Sequence, residues 1–198
     1  MIVKLLLRQA GAALLLLSFA GVAFSAATPT TETKPDAVQQ LTAQLAGMNT
    51  LSANFQQVIS DAAGETLQQA SGVLTVKRPR RFYWRTDQPY EHLVVTDGKL
   101  LWLYDIDLEQ ITRQTFTADL DKAPALLLSG EVAEISRQYK VELETGANDE
   151  QRFTLTPNSN DSLFKQLTIS FNHGELVAMS LKDSFDQLTR INFDTVRR

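Results

Sequence analysis

The chain has 198 residues, 43% of them apolar and 21% charged, which suits one globular domain with a sizeable core. Its formal net charge is -4, and loss of Lys4 and Arg8 with a basic N-terminal leader makes the remainder more acidic still, which argues against a nucleic-acid partner. The absence of cysteine excludes disulfides, thiol catalysis, cysteine-ligated metal and a lipid-modified cysteine on this chain, and two histidines, His92 and His173, are too few for a histidine-rich metal site.

Residues 1–27 have the layout of a secretory signal peptide. Lys4 and Arg8 form a positive start, Ala10 to Ala23 an apolar middle, and Ser25, Ala26 and Ala27 a small-residue exit, so cleavage is expected after residue 25 or 27. The positive end stays on the cytoplasmic side of the inner membrane, so in a bacterium the rest of the chain is expected in the periplasm. Residues 28–34 are polar and read as a flexible linker, and residues 35–198 as a single domain.

Pro35 suits the first turn of a helix. Val38, Leu41, Leu45 and Met48 then recur on one helical stripe, with the exit at Gly47 and Asn49. From Leu51 the period becomes two. Leu51, Ala53, Phe55 and Ile59 alternate with polar neighbours, and Thr66 to Lys77 reads as a long strand with a candidate bend at Gly72. After Arg78-Pro79-Arg80 a strand runs from Arg81 to Thr86, with Phe82 and Trp84 on one face and Arg81, Tyr83 and Arg85 on the other. His92 to Val95 and Lys99 to Tyr104 flank Thr96-Asp97-Gly98, a strong hairpin signal. Gln110 to Phe116 is a further strand.

The alternation then breaks, and Leu120 to Leu128 reads as a short helix ending at Gly130. It returns from Ser136, with strands at Tyr139–Glu144, Phe153–Thr156, Lys165–Phe171, Leu176–Leu181 and Leu188–Phe193. The expectation is roughly nine or ten turn-linked antiparallel strands, a number that curls, with two short helices to cover the concave face. Phe55, Leu74, Val76, Phe82, Trp84, Leu93, Val95, Leu101, Leu103, Phe153, Leu155, Leu167, Ile169, Phe171, Leu176 and Leu181 are the apolar residues available to line that face.

No nucleophile–base pair, G-x-S-x-G elbow or phosphate loop is present. His173 in Asn-His-Gly reads as a turn residue, His92 as a strand-surface residue, and Asp105, Asp107 and Glu109 as a polar turn. No catalytic residue, cofactor or metal is expected, and the chain is not read as an enzyme.

The run Leu51-Ser52-Ala53-Asn54-Phe55-Gln56-Gln57 resembles the opening of the LolA family of periplasmic outer-membrane lipoprotein carriers. The blocks from Gly72 to Trp84 and from Val95 to Asp105, Leu108-Glu109-Gln110, and Ala123 to Gly130 follow in the family's order, so the resemblance spans Val38 to Asp194. It implies an unclosed antiparallel β-barrel whose short helices form a lid over a hydrophobic cavity. It also implies a carrier that takes lipoprotein acyl chains from the inner-membrane LolCDE transporter to the outer-membrane receptor LolB, and a monomer is expected. Leu45, Phe55, Leu74, Val76, Phe82, Trp84, Leu101, Leu103, Leu126 and Leu127 are then expected in the cavity or at a partner contact.

Arg78 matches the family arginine that bonds from barrel to lid, so it is expected to latch the lid near Leu126–Ser129 in the closed, empty state. Family members continue about twenty residues beyond the strand near Asp194, whereas this chain ends at Arg198, which bears on the cover of a barrel edge. The alternative is a related periplasmic lipid-binding protein that carries or senses another acylated molecule, which cargo identity would separate.

Overall fold

The computed structural model describes residues 36–116, 127–129 and 135–198. The leader, the linker, Pro35 and Leu126 therefore lie outside the described residues, as does the expected helix from residue 120 through 126.

Helix α1 (Ala37–Ala46) begins where Asp36 caps it, its Oδ1 accepting from the Gln39 N–H at 2.7 Å. Leu41 and Leu45 lie on its buried stripe, Met48 follows them into the core, and Gly47 closes the helix with its N–H on the Ala43 carbonyl. Gln44 Nε2 donates to Gln151 Oε1 at 2.8 Å and ties the helix to the sheet.

Among the described residues eleven strands follow, not nine or ten. Each stretch read from the alternation forms its own strand, so six precede the mid-chain break and five follow it. They are β1 (Thr50–Ser60), β2 (Thr66–Lys77), β3 (Arg81–Gln88), β4 (His92–Thr96), β5 (Leu100–Asp105) and β6 (Gln110–Thr115), then β7 (Tyr139–Thr145), β8 (Glu150–Pro157), β9 (Phe164–Asn172), β10 (Glu175–Asp183) and β11 (Leu188–Arg197). A four-residue helix, α2 (Ile135–Gln138), stands where the alternation is expected to return. Leu127 and Leu128 form a single tight helical turn and are fully buried with Ser129.

The strands make one antiparallel sheet in the order β6-β5-β4-β3-β2-β1-β11-β10-β9-β8-β7. Two meanders, one from each half of the chain, are joined by β1 pairing with β11, Phe55 opposite Phe193. The edges β6 and β7 are not paired to each other, so the barrel is unclosed. The C-terminal strand β11 is interior, held by β1 on one side and β10 on the other, and is not a barrel edge.

The turns follow local chemistry. Asp97 Oδ1 accepts from the N–H groups of Lys99 (2.8 Å) and Leu100 (2.9 Å), and Gly98 takes the positive φ (95°) that the β4–β5 hairpin needs. Gly72 marks the bend in β2: the β2–β3 register shifts between Ser71 and Gly72, and a Cβ at Gly72 would stand 1.9 Å from the Arg85 carbonyl oxygen. The concave face is filled by Phe153 and Phe171 in an edge-on pair (centroids 5.8 Å apart), Leu155, Ile169 and Leu176, covered by Leu41 and Leu45 of α1.

Candidate functional site

Pairing decides which side chains share the concave face. Phe55 lies opposite Gly72 and Phe193, Trp84 opposite Leu74 and Val94, and Met179 opposite Ile169 and Ile191. Away from α1, this face holds a partly open apolar cavity of about 210 Å³. Phe82, Trp84 and Val94 form one wall, and Leu167, Met179, Leu181 and Ile191 the other. Gln57, Ser180 and Thr189 are its polar members.

Trp84 anchors the first wall. Its ring stacks on Phe55 with centroids 3.9 Å apart and lies nearly parallel to Phe82 at 6.2 Å. Its Nε1–H donates to Thr86 Oγ1 at 3.3 Å, so the polar edge of the indole is held while its face remains half-buried at the cavity.

At its Arg80 the β2–β3 turn meets the segment before α2. The Arg78 N–H donates to the Asn49 carbonyl, and the Arg80 N–H donates to the Ser129 carbonyl, both at 2.8 Å. Arg80 takes a positive φ (59°) to aim that donor. Arg78 is half-buried, with Nε and Nη2 shielded from water, and burial holds its guanidinium below the usual arginine pKa. Around it Lys77, Arg80, Arg81 and Lys99 make a cationic depression, in which Asp97 is committed to its own turn.

Of the residues expected from the sequence, Phe82, Trp84, Leu167 and Leu181 line the cavity. Leu45, Phe55, Leu74, Val76, Leu101 and Leu127 are buried in the core. Leu103 faces the concave side opposite Val94 but is 38% exposed near the uncovered edge, and Leu126 lies outside the described residues. Leu93 and Val95 do not face inward. Phe82 pairs with Thr96 and Trp84 with Val94, so Val94 and buried Thr96 point in while Val95, opposite Tyr83, points out. Met179, Ile191, Gln57 and Thr189 are not among the lining residues expected from the sequence; the cross-strand register is the signal that finds them.

His173 (φ 48°) occupies a turn with Nδ1 3.5 Å from Asp149, and His92 lies at the start of β4 with Nδ1 3.7 Å from Asp105; both are exposed. Asp105 Oδ1 accepts from the Leu108 N–H at 3.1 Å, the polar turn expected there. Among the described residues no group of histidines and carboxylates is placed to hold a metal ion, and no helix is long and apolar enough to cross a membrane.

The family model described as outer membrane lipoprotein carrier protein LolA matches residues 46–198. An outer-membrane lipoprotein carrier protein of Hahella chejuensis is 44% identical over 160 residues, covering 80% of this chain and 77% of the relative. One from Pseudomonas putida strain GB-1 is 45% identical over 164 residues, covering 81% and 77%. Among solved structures, an uncharacterized conserved protein from Thermus thermophilus superposes with a TM-score of 0.51 at 10% identity, over 82% of this chain and 88% of that one, a likeness of fold alone.

Proposed function

The chain belongs to the LolA family of outer membrane lipoprotein carrier proteins, and from that premise we propose that it shields lipoprotein acyl chains in the cavity between β3–β4 and β9–β11 while they cross the periplasm. It is a non-enzymatic chaperone. The cargo is loaded from an inner-membrane LolCDE-type transporter and handed to an outer-membrane LolB-type receptor, and the carrier works as a monomer.

The observation that carries this reading is the cavity itself. Its two apolar walls come from opposite halves of the chain and meet on the concave face of an unclosed sheet. The thermodynamic need is large. Each CH₂ buried is worth about 0.8 kcal/mol, so one sixteen-carbon chain costs on the order of 12 kcal/mol to expose to water. At about 210 Å³ the cavity is smaller than the roughly 300–1,000 Å³ of sites that enclose drug-sized ligands, so loading several acyl chains requires the walls to part. The open edges β6 and β7 leave the sheet free to do so, because no strand pairing must break.

Arg78 has the role of a latch in this scheme. It stands in the turn whose Arg80 N–H bonds Ser129, and a guanidinium supplies several donors in a rigid fork for carbonyls at a helix end. Closing the latch favours the empty state and hence release.

The test is release from spheroplasts. The mature protein is incubated with spheroplasts that hold a labelled triacylated lipoprotein in the inner membrane. The expected result is an energy-dependent, soluble one-to-one complex in the supernatant. Failure of a folded protein to release the lipoprotein, with a different lipid found by mass spectrometry of the co-purified ligand, would replace this reading with that of a carrier or sensor of another acylated molecule.

A further inference from the structure

Gln57 breaks the inward row of β1. Leu51, Ala53, Phe55 and Ile59 occupy the other inward positions, and Gln57 itself lies opposite buried Ile191 and Ala70. An apolar side chain would continue the pattern at no cost, so an amide here departs from the local rule at the wall of the cavity. Among the described residues its side chain has no protein hydrogen-bond partner. Thr189 of β11, the second polar side chain on this wall, is its diagonal neighbour, since Thr189 pairs with Ile59 and Ile191 with Gln57. Gln57 and Thr189 are thus cross-strand neighbours on a cavity whose other lining residues, Ser180 apart, are apolar.

We propose that Gln57 and Thr189 form a carbonyl-binding subsite, at which the ester or amide carbonyl of a fatty-acyl group accepts hydrogen bonds while its hydrocarbon lies against Trp84, Val94 and Met179. This rests on the carrier reading and makes it specific. A bare hydrocarbon has no acceptor, whereas an acyl chain attached to a lipoprotein enters with a carbonyl that loses its water on burial and needs a donor in return. The subsite fixes how deep the chain sits and selects acyl carbonyls over plain alkyl chains. It also leaves affinity moderate, since one or two neutral hydrogen bonds contribute only a few-fold each.

The two tryptophans allow a direct test. Trp84 lines the cavity, while Trp102 pairs with Val95 on the outer face, so a Trp102→Phe background isolates the cavity signal. Quenching of Trp84 is titrated with a brominated fatty-acyl glycerol ester and with a bromoalkane of equal length, for Gln57 and for Gln57→Met, a near-isosteric apolar replacement. The expected result is a loss of about three- to tenfold in ester affinity, with alkane affinity held or improved, and a smaller loss of the same kind in Thr189→Val. Retained alkane binding shows that the variant cavity is folded. Equal weakening of both probes, or no change in either, overturns the subsite while leaving the carrier reading in place. Binding of neither probe by the unsubstituted protein overturns both.

Discussion

Trp84 and Phe55 stack with ring centroids 3.9 Å apart, one ring facing the cavity and the other buried in the core. Phe55 lies on β1 opposite Gly72, so its ring sits over a position with no side chain of its own. The cavity wall is therefore continuous with the core that holds the barrel together. Trp84→Ala removes a half-buried indole and its stacking, and is expected to cost about 2–3 kcal/mol in urea unfolding as well as weakening apolar-ligand binding. A variant of full stability would show that the stack carries no load.

Gly72 makes the second expectation. Its Cβ would meet the Arg85 carbonyl oxygen at 1.9 Å, a contact that only movement of the β3 backbone relieves. Gly72→Ala is expected to destabilise by about 1–3 kcal/mol, the range of overpacking, and to shift Trp84 emission because β3 carries that residue. Gly64→Ala, in a turn with open space around the missing Cβ but a φ of 90°, serves as the comparison for backbone strain alone.

The proposed latch at Arg78 predicts a kinetic phenotype. Arg78→Leu is expected to raise the open population, hold cargo longer and slow handover to the receptor several-fold. Arg78→Lys, which keeps the charge but not the fork, is expected to fall between the two. The measurement is the rate of lipoprotein transfer from a preloaded carrier to receptor-bearing membranes. Wild-type rates in Arg78→Leu would remove the latch.

Much of this architecture is legible in the residues. Asp97-Gly98 announces its hairpin, and the period of two marks each strand, because an antiparallel sheet with one wet face writes its burial into alternation. The parity of Leu93-Val94-Val95 is not legible, since all three are apolar and only the pairing of Trp84 with Val94 decides it. Leu176 and Leu181 both face inward although five residues apart, because the β9–β10 register shifts between Leu176 and Ala178. The union of β1 with β11 joins Phe55 to Phe193, a contact too distant in sequence for any local pattern to reveal. Gln57 is visible as a gap in an apolar row, but its meaning depends on the cavity it faces.

Acid sensitivity has a defined sign. Two backbone N–H groups, of Leu100 first and Lys99 second, hold the Asp97 carboxyl below its ordinary pKa of 3.8, and Lys165 and Lys182 do the same for Asp186. A carboxylate whose pKa is depressed on folding stabilises above its unfolded value and loses that contribution as pH falls through the folded value. The melting temperature is expected to be insensitive to these groups near neutrality and to fall below about pH 4, with a shallower fall in Asp97→Asn and Asp186→Asn. An acid limb unchanged in both variants would assign it to other carboxylates.

Site-specific photo-crosslinking asks whether acyl chains lie in this cavity. A photoreactive residue is placed at Leu181 or Val94 in the cavity wall, and at outward-facing Val95 next to it in sequence. The carrier is loaded with a lipoprotein bearing labelled acyl chains and irradiated. Transfer of the acyl label to positions 181 and 94 but not 95 is the predicted result. Equal labelling at position 95, or none at 181 and 94 in a loaded complex, would place the acyl chains elsewhere.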